Sequence, residues 1–589
     1  MPKDNTAFNF SKANYKEIKS ELNMIQWIRY WTKDKSALNE SDSPDARFDM
    51  RTQAALLIAA AALIVRADRY HPADRAGRAA AANLAETDPM FWVNHAQAAI
   101  TENSQRTVPT NKARNVVMFL GDGMSISTIT AARILFGQRK HATGEESQMS
   151  FETFPSTGLV KTYCVNSQIP DSACTATSYL CGVKTNHGML GINAAVPRRD
   201  CLGGRNTANQ VESIAEWALA DGRDAGIVTT TRVTHASPAG TFAKSADRNW
   251  ETDADVEAAN YNTTACPDIA HQLIHMHPGN RFKVILGGGR RVFLPTNVTD
   301  QEGVAGRRTD GRNLIEEWVQ DKVDREVSHN FIWNREELLN ISNNLPEYLL
   351  GLFESNHLMY NLEANNETEP TLAELTETAI KMLSRNEKGF FLFVEGGRID
   401  HAHHDNYAHL ALDETLEMEK AVSVAIKMLS EEDSLVVVTA DHAHVMAFNG
   451  YSPRGHDILG PSNDVDEDDV PYMTLSYTNG PGFRPHVNRT RPDVTAEPTF
   501  NTLRWRSHVD VPLDSETHGG DDVAVFAWGS HHSLFVGAYE QSHIPHRMAY
   551  AACIGPGQHA CNGAAHIGHS PLVLALLTAV VATWSVRQT

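Results

Sequence analysis

Apolar residues along this chain fall into two rhythms. Unbroken runs stand at Val116 to Leu120, Ala225 to Thr229, Val284 to Leu286, Phe390 to Val394, Leu435 to Val438 and Val523 to Ala527. These runs are short, lack helical periodicity and are rich in β-branched and aromatic residues, so they predict buried core strands. Amphipathic stretches lie between them, such as Ala208 to Ala220 and Leu372 to Leu383, and their spacing predicts helices. Strand alternating with helix is the pattern of βαβ units and predicts an α/β fold. From Gly450 to His518 the texture changes to Pro-, Gly- and Asp-rich sequence with few periodic runs, which reads as an insertion resting on the sheet. No internal repeat is visible.

The two ends follow neither rhythm. Residues 1–49 are polar and carry no glycine; then Met50-Arg51-Thr52-Gln53 leads into an apolar stretch from Ala54 to Val65. A basic start, a stretch too short to span a bilayer and the small-residue ending Val65-Arg66-Ala67 predict a signal peptide over 50–67 and a mature start near Asp68. Residues 1–49 then read as a non-native or alternative N-terminal extension. An uncleaved signal anchor is the competing reading. Past Cys561, the small residues Asn562 to Ala565 precede a polar spacer, His566 to Ser570, and an apolar tail, Pro571 to Trp584. This order describes a glycosylphosphatidylinositol (GPI) attachment signal over 562–589, removed when Asn562 or Gly563 takes the anchor. A C-terminal core helix is the alternative. Acceptor sequons at Asn262, Asn297, Asn340, Asn366 and Asn488 agree with a secretory route, so the expected destination is the extracellular face of the cell membrane.

Composition alters this picture in two places. A formal net charge of −20 argues against a nucleic-acid partner, and any site that handles phosphate would need local cations to offset that field. There are seven cysteines. In an oxidising compartment the expected bridges are Cys201 with Cys266 and Cys553 with Cys561. Cys164, Cys174 and Cys181 are then left as free thiols, with Cys174 a packing residue.

The candidate chemistry centres on Val394-Glu395-Gly396-Gly397-Arg398-Ile399-Asp400-His401-Ala402-His403-His404, which follows the Phe390 run. Asp400 and His404 are spaced to share one face of a helical turn, and carboxylate oxygen beside imidazole nitrogen suits Zn²⁺. Glu395 suits a harder ion. Alone, such a cluster is more often a solvated loop. Other strand ends repeat the theme, however: Asp122 after the Val116 run, His235 and Ser237 after the Ala225 run, Asp441 and His442 after the Leu435 run. Ligand sites in open parallel sheets lie beyond the carboxyl ends of strands, so these groups can converge. Ser172, in Asp171-Ser172-Ala173, opens a helix-compatible run, where the macrodipole and free amides favour an alkoxide and an anion. The bland reading is a helix cap.

Phe119 to Met124, Asp171-Ser172-Ala173, His235 to Gly240, Arg248-Asn249-Trp250, Val394 to His404, Thr439 to His442 and Glu516-Thr517-His518 together resemble animal alkaline phosphatases of the membrane-bound, GPI-anchored type. The resemblance runs from Asp88 to Cys561. It implies a phosphatase domain over 68–561, with a doubly wound, mostly parallel central sheet, helices on both faces, and 450–518 as a crown-like inserted subdomain. It implies a homodimer that hydrolyses small phosphate monoesters with two Zn²⁺ and one Mg²⁺ per subunit, and a Ca²⁺. By motif, Asp400, His404 and His518 fall to one zinc; Asp122, Asp441 and His442 fall to the other, with the nucleophile Ser172 facing it. Magnesium falls to Asp122, Ser237 and Glu395, with His235 and His401 behind the ligands, and Arg248 grips phosphate. Glu302, the Phe353 carbonyl, Glu354 and Glu369 match the calcium site, although Glu369 stands where aspartate is usual. Tyr451 matches a tyrosine that reaches the partner subunit's active site. Competing readings are a phosphodiesterase or sulfatase on the same sheet, and a receptor that has lost catalysis. Ser172 lacks the sulfatase context, and every matched position carries a competent residue.

Overall fold

The structure, a computed structural model, describes residues 84–341, 344–465 and 469–563. The expected N-terminal extension and signal peptide lie outside them, as does the apolar tail; Asn562 and Gly563 end the helix Gln558–Gly563.

The central strands are β1 (Asn115–Gly121), β2 (Ser156–Lys161), β3 (Asp224–Arg232), β4 (Val284–Gly288), β5 (His329–Ile332), β6 (Tyr348–Leu352), β7 (Phe390–Gly396) and β8 (Ser434–Ala440). Short strands follow in the inserted region: β9 (Ala443–His444), β10 (Met446–Phe448), β11 (Pro461–Val465), β12 (Pro471–Met473), β13 (Leu475–Gly480), β14 (Val509–Pro512) and β15 (His518–Gly519). The chain then returns to the main sheet with β16 (Val523–Gly529) and β17 (Gly537–Glu540). Ten strands form one sheet in the order β17-β2-β16-β8-β1-β7-β3-β4-β6-β5. Only β16 runs against its neighbours. Every residue of β1, β7 and β8 is buried, and alternate side chains point to opposite faces, so both faces of the sheet are covered. The doubly wound, mostly parallel fold expected from the sequence is the one observed.

Register sets the site. Gly121 pairs with Gly396 on one side and Ala440 on the other, so β1, β7 and β8 end level and their following loops open at one place. All six predicted strands form. Strands β2, β5, β6 and β17 were not predicted; β2 alternates buried and exposed residues, and β5 is short and partly exposed. Helix Leu372–Leu383 has the predicted bounds, because Thr371 and Glu374 form a capping box at its start. The predicted Ala208 to Ala220 helix is shorter. It begins at Ile214, since Ser213 and Glu216 form the same box there, and Thr207–Asn209 is a separate 3₁₀ turn.

The inserted region departs from and returns to the sheet through a two-residue ladder between β9 and β15. Beyond it, β10, β13 and β14 form one small sheet, and β11 and β12 another. Disulfides join Cys201 to Cys266 and Cys553 to Cys561, as expected. Cys164 and Cys174 are not free thiols: they form a third bridge, and Cys181 alone is unpaired among the described residues. The loop after β2 folds back on the first turn of helix Ser172–Cys181, a reversal that cysteine spacing does not announce.

Candidate active site

Four loops meet above β1, β7, β8 and β3. Asp122 leaves β1 through Gly123, whose φ of +68° suits glycine; a Cβ there would meet the His444 ring at 2.4 Å. Gly123 N–H and His442 N–H both donate to Asp441 Oδ1, at 2.9 and 2.8 Å, which turns Oδ2 toward the pocket. Glu395 Oε2 accepts from the hydroxyls of Thr229 and Thr231, and Thr229 is its register partner on β3. Its Oε1 is buried with no partner, as is Asp122 Oδ1.

Three donor atoms converge from Asp400, His404 and His518. His404 Nε2 and His518 Nε2 lie 3.1 Å apart, and each is 3.4 Å from Asp400 Oδ1. His404 Nδ1–H donates to the Glu516 carbonyl at 2.6 Å, and His518 Nδ1–H to the Pro170 carbonyl at 2.8 Å. Burial lowers the pKa of both rings, so both Nε2 atoms are bare lone pairs facing each other, an arrangement that a cation between them relieves. An ion bonded tetrahedrally at about 2.1 Å spaces its ligands about 3.4 Å apart, so the donor set fits.

The second group repeats the test. His442 Nε2 is 3.0 Å from Asp441 Oδ2, 3.6 Å from Asp122 Oδ1 and 3.3 Å from Ser172 Oγ. A third group joins Asp122 to His235 and Glu395, within 4.8 Å of one another. Ser237 Oγ donates to Asp122 Oδ2 at 3.1 Å, so Asp122 faces two groups at once. Burial first, then Asp441, Asp400 and Glu395, pushes the Asp122 carboxyl well above its ordinary range. Burial likewise raises Glu395 to about 7. Four carboxylates packed this closely in a dry pocket call for divalent charge.

Ser172 is the first residue of helix Ser172–Cys181 and is buried, with Asp171 as N-cap. Asp171 accepts from the Ala173 and Cys174 amides and from Arg248 Nη1 at 3.0 Å. Burial alone would raise the Asp171 carboxyl; Arg248 overrides it and holds the group at about 2. Arg248 Nη2 donates to His235 Nε2 at 3.2 Å, so its guanidinium is fixed between two partners. His401 Nδ1 accepts from Arg398 at 2.9 Å, and burial, then Arg398, lowers it to about 3.

Three residues of this site went unread in the sequence. His444 lies beside Asp400, donating to its Oδ1 at 2.8 Å and to Glu516 Oε2 at 2.5 Å. Burial would depress its pKa, but Glu516 and Asp400 raise it to about 10, and each ring nitrogen lies against a carboxylate oxygen. His357 packs its ring against His235 and His401, with centroids 5.3 and 4.3 Å away. Glu516 stood only in a motif. An Asp-His-x-His spacing was the available signal for His444.

The residues matched to calcium are arranged differently. Glu302 pairs with Arg290. Glu354 and Glu369 face each other, and burial, then Glu354, raises Glu369 to about 8. Four groups of donors lie within 4.8 Å among the described residues, and Glu302-Glu354-Glu369 is not one of them. Tyr451 is exposed, far from burial in this single chain.

The alkaline phosphatase family model matches residues 113–554. The chain belongs to the alkaline phosphatase family. It is 63% identical over 528 residues to the membrane-bound alkaline phosphatase of Bombyx mori, covering 88% of this chain and 96% of that one. It is 46% identical over 501 residues to the human tissue-nonspecific isozyme, covering 83% and 94%. The solved alkaline phosphatase of Thermus thermophilus shares the fold, with a TM-score of 0.54 at 22% identity, covering 76% of this chain and 92% of that one. The chain is thus a phosphoric monoester hydrolase. No helix among its described residues is long and apolar enough to cross a membrane.

Proposed function

We propose that this alkaline phosphatase works through a phosphoserine on Ser172. The supporting observation is that Ser172, the first residue of its helix, places Oγ 3.3 Å from His442 Nε2 of the Asp122–Asp441–His442 group, while the Arg248 guanidinium is held on the neighbouring Asp171. Asp400, His404 and His518 would hold one zinc; Asp122, Asp441, His442 and Ser172 the second; Asp122, Ser237 and Glu395 a magnesium. These ions would supply charge that lowers the pKa of the serine hydroxyl and of water, and would stabilise the leaving oxygen. Arg248 binds two non-bridging phosphate oxygens and aligns the phosphorus with Ser172 Oγ. The oxygen attacks, its proton leaves to solvent, and the bond from phosphorus to the substrate oxygen breaks, the departing oxygen taking up a proton to leave as the alcohol. Water then attacks the phosphoserine, its P–O bond to Ser172 breaks, one water proton passes to the serine oxygen, and inorganic phosphate leaves. His235 accepts from Arg248 through Nε2, which leaves its proton on Nδ1, a buried atom without a partner in the group with Asp122 and Glu395 that would hold the magnesium. Glu302, the Phe353 carbonyl, Glu354 and Glu369 would take calcium in place of the proton that burial and Glu354 favour on Glu369.

Ser172→Ala is expected to lower kcat by about 10⁴-fold or more with the fold intact, and acid quenching of wild type with substrate should trap one phosphoserine. Substantial turnover by the variant would mean that another group attacks. We further propose a glycosylated homodimer anchored by GPI at the outer face. The exposed sequon asparagines Asn262, Asn297, Asn340, Asn366 and Asn488, the disulfides and the membrane-bound silkworm relative support this. Phosphatidylinositol-specific phospholipase should release a dimer from membranes; activity that stays with the pellet would count against the anchor.

A further inference from the structure

His403 sits between metal-type ligands in the His401-Ala402-His403-His404 run, yet it faces away from the metal groups. Its ring is fully buried between two hydroxyls: Tyr477 OH lies 2.8 Å from Nδ1, and Thr128 Oγ1 3.0 Å from Nε2. Tyr477 belongs to β13 in the inserted region, and Thr128 to helix Ile126–Gln138, which follows the Asp122 loop. From Thr128 the contacts continue to Ser125 Oγ at 2.8 Å, to Ser127 Oγ at 2.9 Å and to the Met446 carbonyl at 3.0 Å. Met446 is the register partner of Tyr477, so the path closes on itself.

The direction of every proton in this ring follows from its one fixed acceptor. The Met446 carbonyl can only accept, so Ser127 donates to it. Ser127 has no second proton, so Ser125 donates to Ser127. Ser125 Oγ also accepts from the Thr128 amide at 3.2 Å, so it receives the Thr128 hydroxyl proton as well. Thr128 must then accept from His403 Nε2–H, which leaves Nδ1 bare to accept from Tyr477 O–H. All donors are used once, and neither imidazole nitrogen is left to ligate.

We propose that His403 is a positioning residue through which the inserted region holds the helix Arg398–His404, which carries Asp400 and His404, in register for metal binding, an inference that rests on the zinc assignment above. Its neighbours act in the same sense. Asn406, buried two residues past His404, accepts from Gly482 N–H at 3.0 Å and donates to the Asn479 carbonyl at 3.2 Å. The Glu516 amide donates to the His404 carbonyl at 2.8 Å. The end of this helix and the turn after it are thus tied to the insertion through His403, His404 and Asn406, and of these His403 alone also reaches the Asp122 side. Removing one hydroxyl from the ring leaves a buried acceptor or donor unmade and frees the helix to shift.

The test is zinc release from purified holoenzyme to an excess of a chromogenic chelator, with kcat and KM on an aryl phosphate measured in parallel. Tyr477→Phe and Thr128→Val, at opposite ends of the imidazole, are each expected to speed release about tenfold. The double variant should release no faster than about the single ones, because one broken link already opens the ring. KM should change less than kcat. Release from Tyr477→Phe at the wild-type rate, with only a lowered melting temperature, would overturn the inference; so would fully additive effects. If either single variant fails to fold, the other reads the same ring. Wild-type protein lacking zinc at Asp400, His404 and His518 would overturn the functional reading as well, whereas normal zinc content with equal release rates overturns this inference alone.

Discussion

Two regions of this molecule gather acidic groups, and they are built on different terms. Above β1, β7 and β8, Asp122, Glu395, Asp400 and Asp441 keep lone pairs aimed inward, with bare Nε2 atoms of His404 and His518 among them. Near β6, Glu302 is exposed and pairs with Arg290, Glu354 is half-buried, and Glu369 is buried with Oε1 on the Met359 amide and Oε2 without a partner. The first region gathers enough donors to hold cations; in the second, burial and then Glu354 raise the Glu369 carboxyl to about 8, which favours its protonated form. Four carboxylates are buried in the first and one in the second, and only in the first do imidazole nitrogens converge with them.

The largest effect should come from the first region. Stripping divalent ions with a strong chelator is expected to bring turnover below about one thousandth of the starting rate, and zinc plus magnesium should restore it. Asp122→Ala should do the same without recovery, because its carboxylate faces both the His442 and the Glu395 groups. Loss of a residue behind the ligands typically costs only about 10–100-fold, so a variant retaining more than about a tenth of the activity would place Asp122 outside the ligand set. Metal analysis of the same samples should show losses at more than one site.

Much of this was legible before any coordinates. Asp122, Glu395, Asp400 and Asp441 could be grouped because each follows an apolar run, and parallel strands end on one side of a sheet. Ser172 could be placed because a small, helix-compatible run follows Asp171. What stayed hidden depends on partners distant in the chain. His444 is held by Glu516, 72 positions on. Cys164 meets Cys174 only because a loop reverses onto the nucleophile helix. The ring through His403 needs helix Ile126–Gln138, the metal helix and β13 together, and no local pattern joins the three. Edge strand β17 carries few apolar residues, so periodicity had little to act on.

The smallest effect, and the sharpest test of the contrast, lies in the second region. Glu369 is raised to about 8, by burial first and by Glu354 second, against about 4.3 in an unfolded chain. Between these values the folded metal-free protein holds a proton that the unfolded chain has lost. Stability from this group is therefore complete at low pH and falls as pH rises through about 8. Glu414, also near 8 through burial, and Glu395 slope the same way in wild type, so the difference between variant and parent isolates Glu369. Glu369→Gln cannot ionise, and its retained carbonyl can still accept the Met359 amide that Oε1 holds at 2.7 Å. In chelator at pH 9 the variant should melt roughly 2–4 °C above wild type, with the two converging near pH 5. Added calcium should raise the wild-type melting temperature and leave the variant nearly unmoved, with kcat similar in both. If wild type and variant show the same pH dependence in chelator, Glu369 holds no such proton in the folded state, and the two acidic regions are alike in how they titrate.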